Sequence, residues 1–288
     1  MGAMFMSKLT VLLVIVFGFF ISVSMAGQQK ITRSTGDSIE LSRYELVSRI
    51  DVEEVDDDLS GLTFNPLTES LFAVTNEPPQ LIEMSLEGRV IRLIPLLGFE
   101  DTEGITHVQG NQFALVEERK RQVVFFSVDE STTKIEHEHC EVYALAMKGE
   151  KNKGLEGIAW RDGAGLLLAK EDEPEQLYQL AANNQFERGL TVLLQRSETP
   201  RSLGDVAGLH SLANGNTLLL SEASAVLLEL SPQGEVVSEK SFAGLRYDSF
   251  VMFKSIRQPE GVTVADDGRL YIVSEPNQLF IFNKPEVS

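Results

Sequence analysis

The chain has 288 residues, 43% apolar and 24% charged, which is ordinary for a globular protein and excludes wholesale disorder. Lys and Arg number 25 against 43 Asp and Glu, and the resulting net charge of −18 argues against nucleic acid and leaves metal cations and basic partners open. The single cysteine, Cys140, excludes an intramolecular disulfide and any cysteine-built zinc site.

Residues 1–26 differ from everything after them. Lys8 precedes an uncharged run from Leu9 to Met25, and Ser24 and Ala26 occupy the small-residue positions of a cleavage site. This is the layout of a secretory signal peptide, with the mature protein starting near Gly27. The rival reading is an uncleaved anchor, in which residues 9–25 span the cytoplasmic membrane. Either way the remainder is expected outside the cytoplasm: periplasmic, secreted or membrane-tethered. Residues 27–41 read as a linker and 42–288 as the folded domain.

An apolar–x–Gly–apolar element then recurs as "LSGLTF" (59–64), "TEGITH" (102–107), "LEGIAW" (155–160), "VAGLHS" (206–211) and "PEGVTV" (259–264). The glycines Gly61, Gly104, Gly157, Gly208 and Gly261 are spaced by 43, 53, 51 and 53 residues. Each copy leads into a turn rich in Gly, Asn, Asp or Pro, then a second apolar run and a third. Runs this short, partly β-branched or aromatic and bounded by turn signals, read as strands. Fourth strands are expected at "GRVIRLIPL", from Ile135 to Leu145, at "GLTVLLQRS" and at "GEVVSEKSF". The fifth copy has too little chain left for its outer strand, and "YELVSRIDV" (44–52) has the right length and composition to supply it. The expected fold is an all-β, five-bladed propeller of four-stranded antiparallel blades, closed by an N-terminal strand.

The elements "LSGLTF", "FAVTNEPPQLIEMSLEGRVIR", "LEGIAW", "DVAGL" and "PEGVTVADDGRLYIVSEPNQLFIF" resemble the SdiA-regulated family, also called YjiK-like proteins, from about Tyr44 to the C-terminus. The resemblance implies an exported or membrane-tethered bacterial propeller, related to NHL-type repeats, with a calcium site. It implies no assigned biochemical activity.

Aligned, the copies show two acidic rings. The residue before each glycine is Ser60, Glu103, Glu156, Ala207 or Glu260, and the second run ends on Asn76, Glu117, Glu171, Glu222 or Glu275. One set opens strand one and the other closes strand two, so both fall at one rim of the central channel. Asp58, Asp101 and Asp205, three residues before a glycine, add carboxylates, and Asp101 and Glu103 are expected to share a face. Crowded carboxylates raise one another's pKa, and a divalent cation relieves the conflict. Oxygen-only donors suit calcium over zinc or copper, so Asp101, Glu103, Glu117, Glu156, Glu171, Asp205, Glu222, Glu260 and Glu275 are the candidate ligands. The bland alternative has each glutamate accepting backbone N–H groups from the next blade and locking the ring.

The remaining signals are weaker. His107 and His210 fall in different phases of the repeat, and His137 and His139 read as an exposed outer strand. Cys140, among Glu136, Glu138 and Glu141, is expected to be an unreactive thiol, and "ERKRQ" (118–122) a solvated turn. No G-x-S-x-G element, P-loop or dinucleotide fingerprint is present. The favoured function is a calcium-binding module for a protein or small-molecule ligand at the channel rim. The alternative is a calcium-dependent hydrolase of lactones, esters or phytate, with Glu117 or Glu171 as general base.

Overall fold

A computed structural model describes residues 38–146, 154–170, 176–181, 191–195, 204–243 and 256–285. All of them belong to one compact unit, Ser34–Ser288. The leader and Glu171 lie outside the described residues. Among the described residues no helix is long and apolar enough to cross a membrane.

The fold is a five-bladed β-propeller. Blade one comprises Leu59–Asn65, Ser70–Asn76, Pro79–Met84 and Val90–Leu97, and blade two Thr102–Gln109, Gln112–Glu117, Gln122–Ser127 and Glu141–Ala144. Blade three holds Leu155–Arg161, Gly165–Lys170, Gln176–Ala181 and Thr191–Gln195; blade four Val206–Ser211, Thr217–Ser221, Val226–Leu230 and Val236–Ser241. Blade five is built from Pro259–Val264, Leu270–Ser274 and Gln278–Asn283, with Glu45–Asp51 lying antiparallel to the last of these, Leu46 opposite Phe282 and Asp51 opposite Gln278. Each inner strand contacts the next, and that of blade five contacts that of blade one.

Strand patterning follows position in the ring. Leu59–Asn65 is buried along its whole length because a blade packs on each face, whereas Val90–Leu97 at the periphery alternates with solvent. The cores therefore lie between blades. Phe72 and Leu81 of blade one meet Ile105 and Phe113 of blade two, with the Phe72 and Phe113 rings 4.7 Å apart. Leu41 and Tyr44, ahead of the first blade, fill the core between blades four and five.

The repeated glycines sit where inner strands crowd the axis. A Cβ on Gly104 would stand 2.0 Å from the Glu156 carbonyl oxygen, and one on Gly61, at φ +24°, 2.4 Å from that of Glu103. Gly104→Ala is accordingly expected to cost at least about 3 kcal/mol in stability, read as a lowered chemical-denaturation midpoint.

The Ile135–Leu145 segment corrects the expected single strand. Ile135–Glu136 pairs in parallel with Leu96–Leu97 of blade one, His137–His139 form a 3-10 turn, and only Glu141–Ala144 completes blade two. Burial of Ile135 in the core between blades one and two pulls the chain across before it turns back.

Candidate metal centre

The rim is organised by the backbone. Asp58, Asp101, Asp205 and Gln258, each three residues before a repeat glycine, adopt the left-handed conformation at φ 67°, 60°, 46° and 45°. Aspartate tolerates this region because its side chain can bond nearby backbone groups. Asp58 Oδ2 accepts the N–H groups of Asn76 and Glu77 at 3.0 and 2.9 Å, and Asp101 Oδ2 that of Arg119 at 3.0 Å.

Immediately after this corner every inner strand carries a register shift at its glycine, as between Ser60 and Leu62, Leu155 and Gly157, Val206 and Gly208, and Pro259 and Gly261. In blade two the shift falls between Thr102 and Ile105. Such bulges re-aim a side chain. Glu103 does converge with Asp101, as alternation suggested, but through a left-handed corner followed by a bulge and not along a regular strand.

Strand pairing also revises the second acidic ring. The carbonyls of Asp101, Asp205 and Gln258 accept the backbone N–H groups of Glu118, Glu222 and Glu275 at 3.0, 2.9 and 3.1 Å. The blade-two counterpart of Glu222 and Glu275 is thus Glu118, not Glu117. Thr102 pairs with Glu117, so Glu117 faces the opposite side of its strand. There it is fully buried and accepts from the Glu100 N–H at 2.7 Å, Lys120 Nζ at 3.2 Å and His137 Nε2 at 2.9 Å, with Gln122 Nε2 also bonded. Glu117→Ala removes the acceptor of all these donors and is expected to destabilise the fold by about 3 kcal/mol. The calcium response described below should be unchanged, which denaturation with and without the ion would check.

Asp101, Glu103 and Glu118 each offer a carboxylate oxygen, and these oxygens lie within 4.8 Å of one another. Glu118 is buried, with Oε1 accepting the Gly154 N–H at 2.8 Å. Burial, then the Asp101 charge, pushes the Glu103 carboxyl up to about 8, against a bond from Ser60 that favours its ionised form. Burial, then the charges of Glu222, Glu275 and Glu103, pushes Glu260 up to about 9. Glu222 and Glu275 are raised as well, by burial first and then by Asp205 and by Asp58 respectively. Glu103 and Glu260 occupy the same position in their blades, one residue before the repeat glycine. The throat between the inner strands is lined by the repeat glycines, Glu156, Glu260 and apolar residues including Leu62 and Ile158. Its cavity is about 10 Å³, room for about one water.

The basic turn is not free in solvent as expected. Arg119 Nε lies 3.3 Å from Asp101 Oδ2, and Lys120 Nζ bonds Glu117, so the turn supplies partial counter-charge beside the rim. The Cys140 thiol is raised, but by burial first and by Glu117 second, not by its chain neighbours. His137 is not on an exposed outer strand: it stacks edge-on against Phe99, 4.9 Å away.

Blades are tied at the other end of the ring. Oγ1 of Thr63, Thr106 and Thr263 accepts the N–H groups of His107, Trp160 and Phe64 from the following blade, at 3.0, 3.0 and 3.1 Å. His210 Nδ1 lies 3.3 Å from Thr263 Oγ1, and desolvation of this partly buried imidazole pushes it down to about 4. The threonines stand two residues after the glycine and the glutamates one before it, so inter-blade locking does not need the glutamates.

The model of the SdiA-regulated family matches residues 36–283. The chain belongs to this family. Three solved structures share its fold. The glutaminyl cyclase of Myxococcus xanthus is 17% identical, with a TM-score of 0.58, over 85% of this chain and 97% of that one. Regucalcin of Agrobacterium tumefaciens, a calcium-binding protein, is 12% identical with a TM-score of 0.53 over the same shares. Virginiamycin B lyase of Staphylococcus aureus is 9% identical with a TM-score of 0.51, over 83% and 99%. For this family member they establish the propeller and nothing about its chemistry.

Proposed function

We propose that this member of the SdiA-regulated family is an exported propeller whose acidic rim holds a calcium ion, and that the loaded rim binds a small-molecule or protein partner at the cell envelope. The observation that carries the reading is the convergence of Asp101, Glu103 and Glu118. Two oxygens on one calcium lie no further apart than twice the metal–oxygen distance, about 5 Å. The trio meets that limit at 4.8 Å with hard oxygen donors only. The raised pKa of Glu103, from burial and then the Asp101 charge, fits a site short of positive charge. Regucalcin offers a calcium-binding precedent in architecture. The leader supports export, since calcium is more available outside the cytoplasm.

Thermal melting of the mature protein in excess calcium and in chelator tests the reading. A ligand that binds only the folded state stabilises by RT ln(1 + [L]/Kd), about 2.7 kcal/mol at a hundredfold excess. Asp101→Asn with Glu118→Gln should erase that shift. Calcium-dependent turnover of lactones, aryl esters or phytate would move the assignment from binding module to hydrolase.

A further inference from the structure

At the end of the ring opposite the carboxylates, a cleft between blades three and four encloses about 150 Å³. Its walls are mixed, apolar at Leu177, Leu230 and Pro232 and polar at Arg161, Thr217 and Gln179 among others. Arg161 Nη2 donates to Thr217 Oγ1 at 2.6 Å, while Nε is buried with no hydrogen-bond partner. Three other half-buried arginines meet carboxylates: Arg92 Nε meets Glu83 at 2.5 Å, Arg269 Nε meets Asp267 at 2.6 Å, and Arg49 Nη2 meets Asp51 at 3.1 Å, although Arg49 Nε, like Arg161 Nε, is buried without a partner. In a chain of net charge −18, a guanidinium facing a cavity without an acidic neighbour among the described residues runs against composition. Burial lowers its pKa, and no neighbouring carboxylate raises it back.

We propose that this cleft binds a small organic carboxylate, with Arg161 as the anion contact and the aliphatic wall holding an apolar body. A carboxylate can take the Nε–H and an Nη hydrogen as a paired contact, the geometry in which guanidinium outperforms ammonium. Gln179, which also lines the cleft, is held by donating its Nε2 to the Ala164 carbonyl at 3.0 Å. About 150 Å³ is the volume that admits a benzene, so the body is limited to about that size. A free inorganic anion would satisfy the guanidinium but not the wall. The site is independent of the calcium reading.

The probe is benzoate, with neutral benzamide and inorganic phosphate as comparators, titrated into the whole mature protein by calorimetry or ligand-observed NMR. Saturable benzoate binding, at least tenfold tighter than benzamide or phosphate, is expected. Arg161→Met should weaken it by tenfold or more. Gln179→Glu should do the same by placing an internal carboxylate beside Arg161, and it keeps the test decisive if the first variant does not fold. Absence of saturable benzoate binding overturns the proposal. So do benzamide or phosphate binding as tightly as benzoate, and affinity unchanged in a folded variant.

Discussion

Calcium binding at pH 7 is expected to release close to one proton per ion, and the release should fade as pH climbs through 8. The proton comes from Glu103, which burial and Asp101 push from 4.5 to about 8 and which must ionise to ligate. The same shift fixes the pH dependence of the metal-free form. Its folded state keeps a proton that the unfolded chain has already lost, so stability is greatest below about 4.5 and falls as pH rises toward 8. Each such carboxyl contributes up to about 1.4 kcal/mol per pH unit across that window. Glu260, pushed up to about 9, carries the decline further. The melting temperature in chelator should therefore drop by several degrees between pH 5.5 and 8, while that in calcium stays nearly level. Titrations in buffers of different ionisation enthalpy give the proton count. A count of zero at pH 7 would remove Glu103 from the site.

Deleting residues 38–51 is expected to abolish cooperative folding, because this segment is part of two cores and one sheet. Buried Glu229 accepts from the Ile39 N–H at 3.0 Å and from Ser38 Oγ at 2.5 Å, and both donors would be lost. Leu41 and Tyr44 are 0% and 2% exposed, and Tyr44 Oη donates to the Gly268 carbonyl at 2.9 Å. Emptying those two sites costs about 2–5 kcal/mol each, comparable with the whole stability of a domain. Loss of Glu45–Asp51 also opens the edge of Gln278–Asn283 to other chains. Tyr44→Ala, a milder change, should cost about 3–5 kcal/mol in chemical denaturation. A deletion variant that melts cooperatively at the parental temperature would show that the N-terminal strand is dispensable.

The blades were legible because the same physical demands recur five times. A crowded axis selects glycine at Gly61, Gly104, Gly157, Gly208 and Gly261, and a tight turn follows each one. Convergence of Asp101 and Glu103 could also be anticipated, since a carboxylate three residues before a glycine accompanies one just before it. Glu118 was easily confused with Glu117, because two adjacent glutamates end that strand, and the pairing shows that Glu118 takes the rim position. Aligning "FALVEE" with "LLLAKE" and "LYIVSE" would have provided the signal. The path of Ile135–Leu145 and the docking of the basic turn on Asp101 and Glu117 depend on contacts between blades, which a single strand's pattern does not carry. The threonine ties had a signal in Thr63, Thr106 and Thr263 at a constant offset from the glycine, unused because threonine is also an ordinary strand residue.

The most direct measurement is a calorimetric calcium titration of wild type and of Glu103→Gln/Glu260→Gln, followed by melting of both in chelator at pH 8.5. If the rim holds the ion, wild type binds calcium saturably and the double variant does not. In chelator the variant melts higher, because glutamine carries no charge where the wild-type carboxylates have begun to ionise against each other. No saturable binding to wild type would contradict a calcium-binding rim. A variant that melts lower in chelator, with calcium leaving both proteins unmoved, would return the glutamates to a purely structural part in holding the ring.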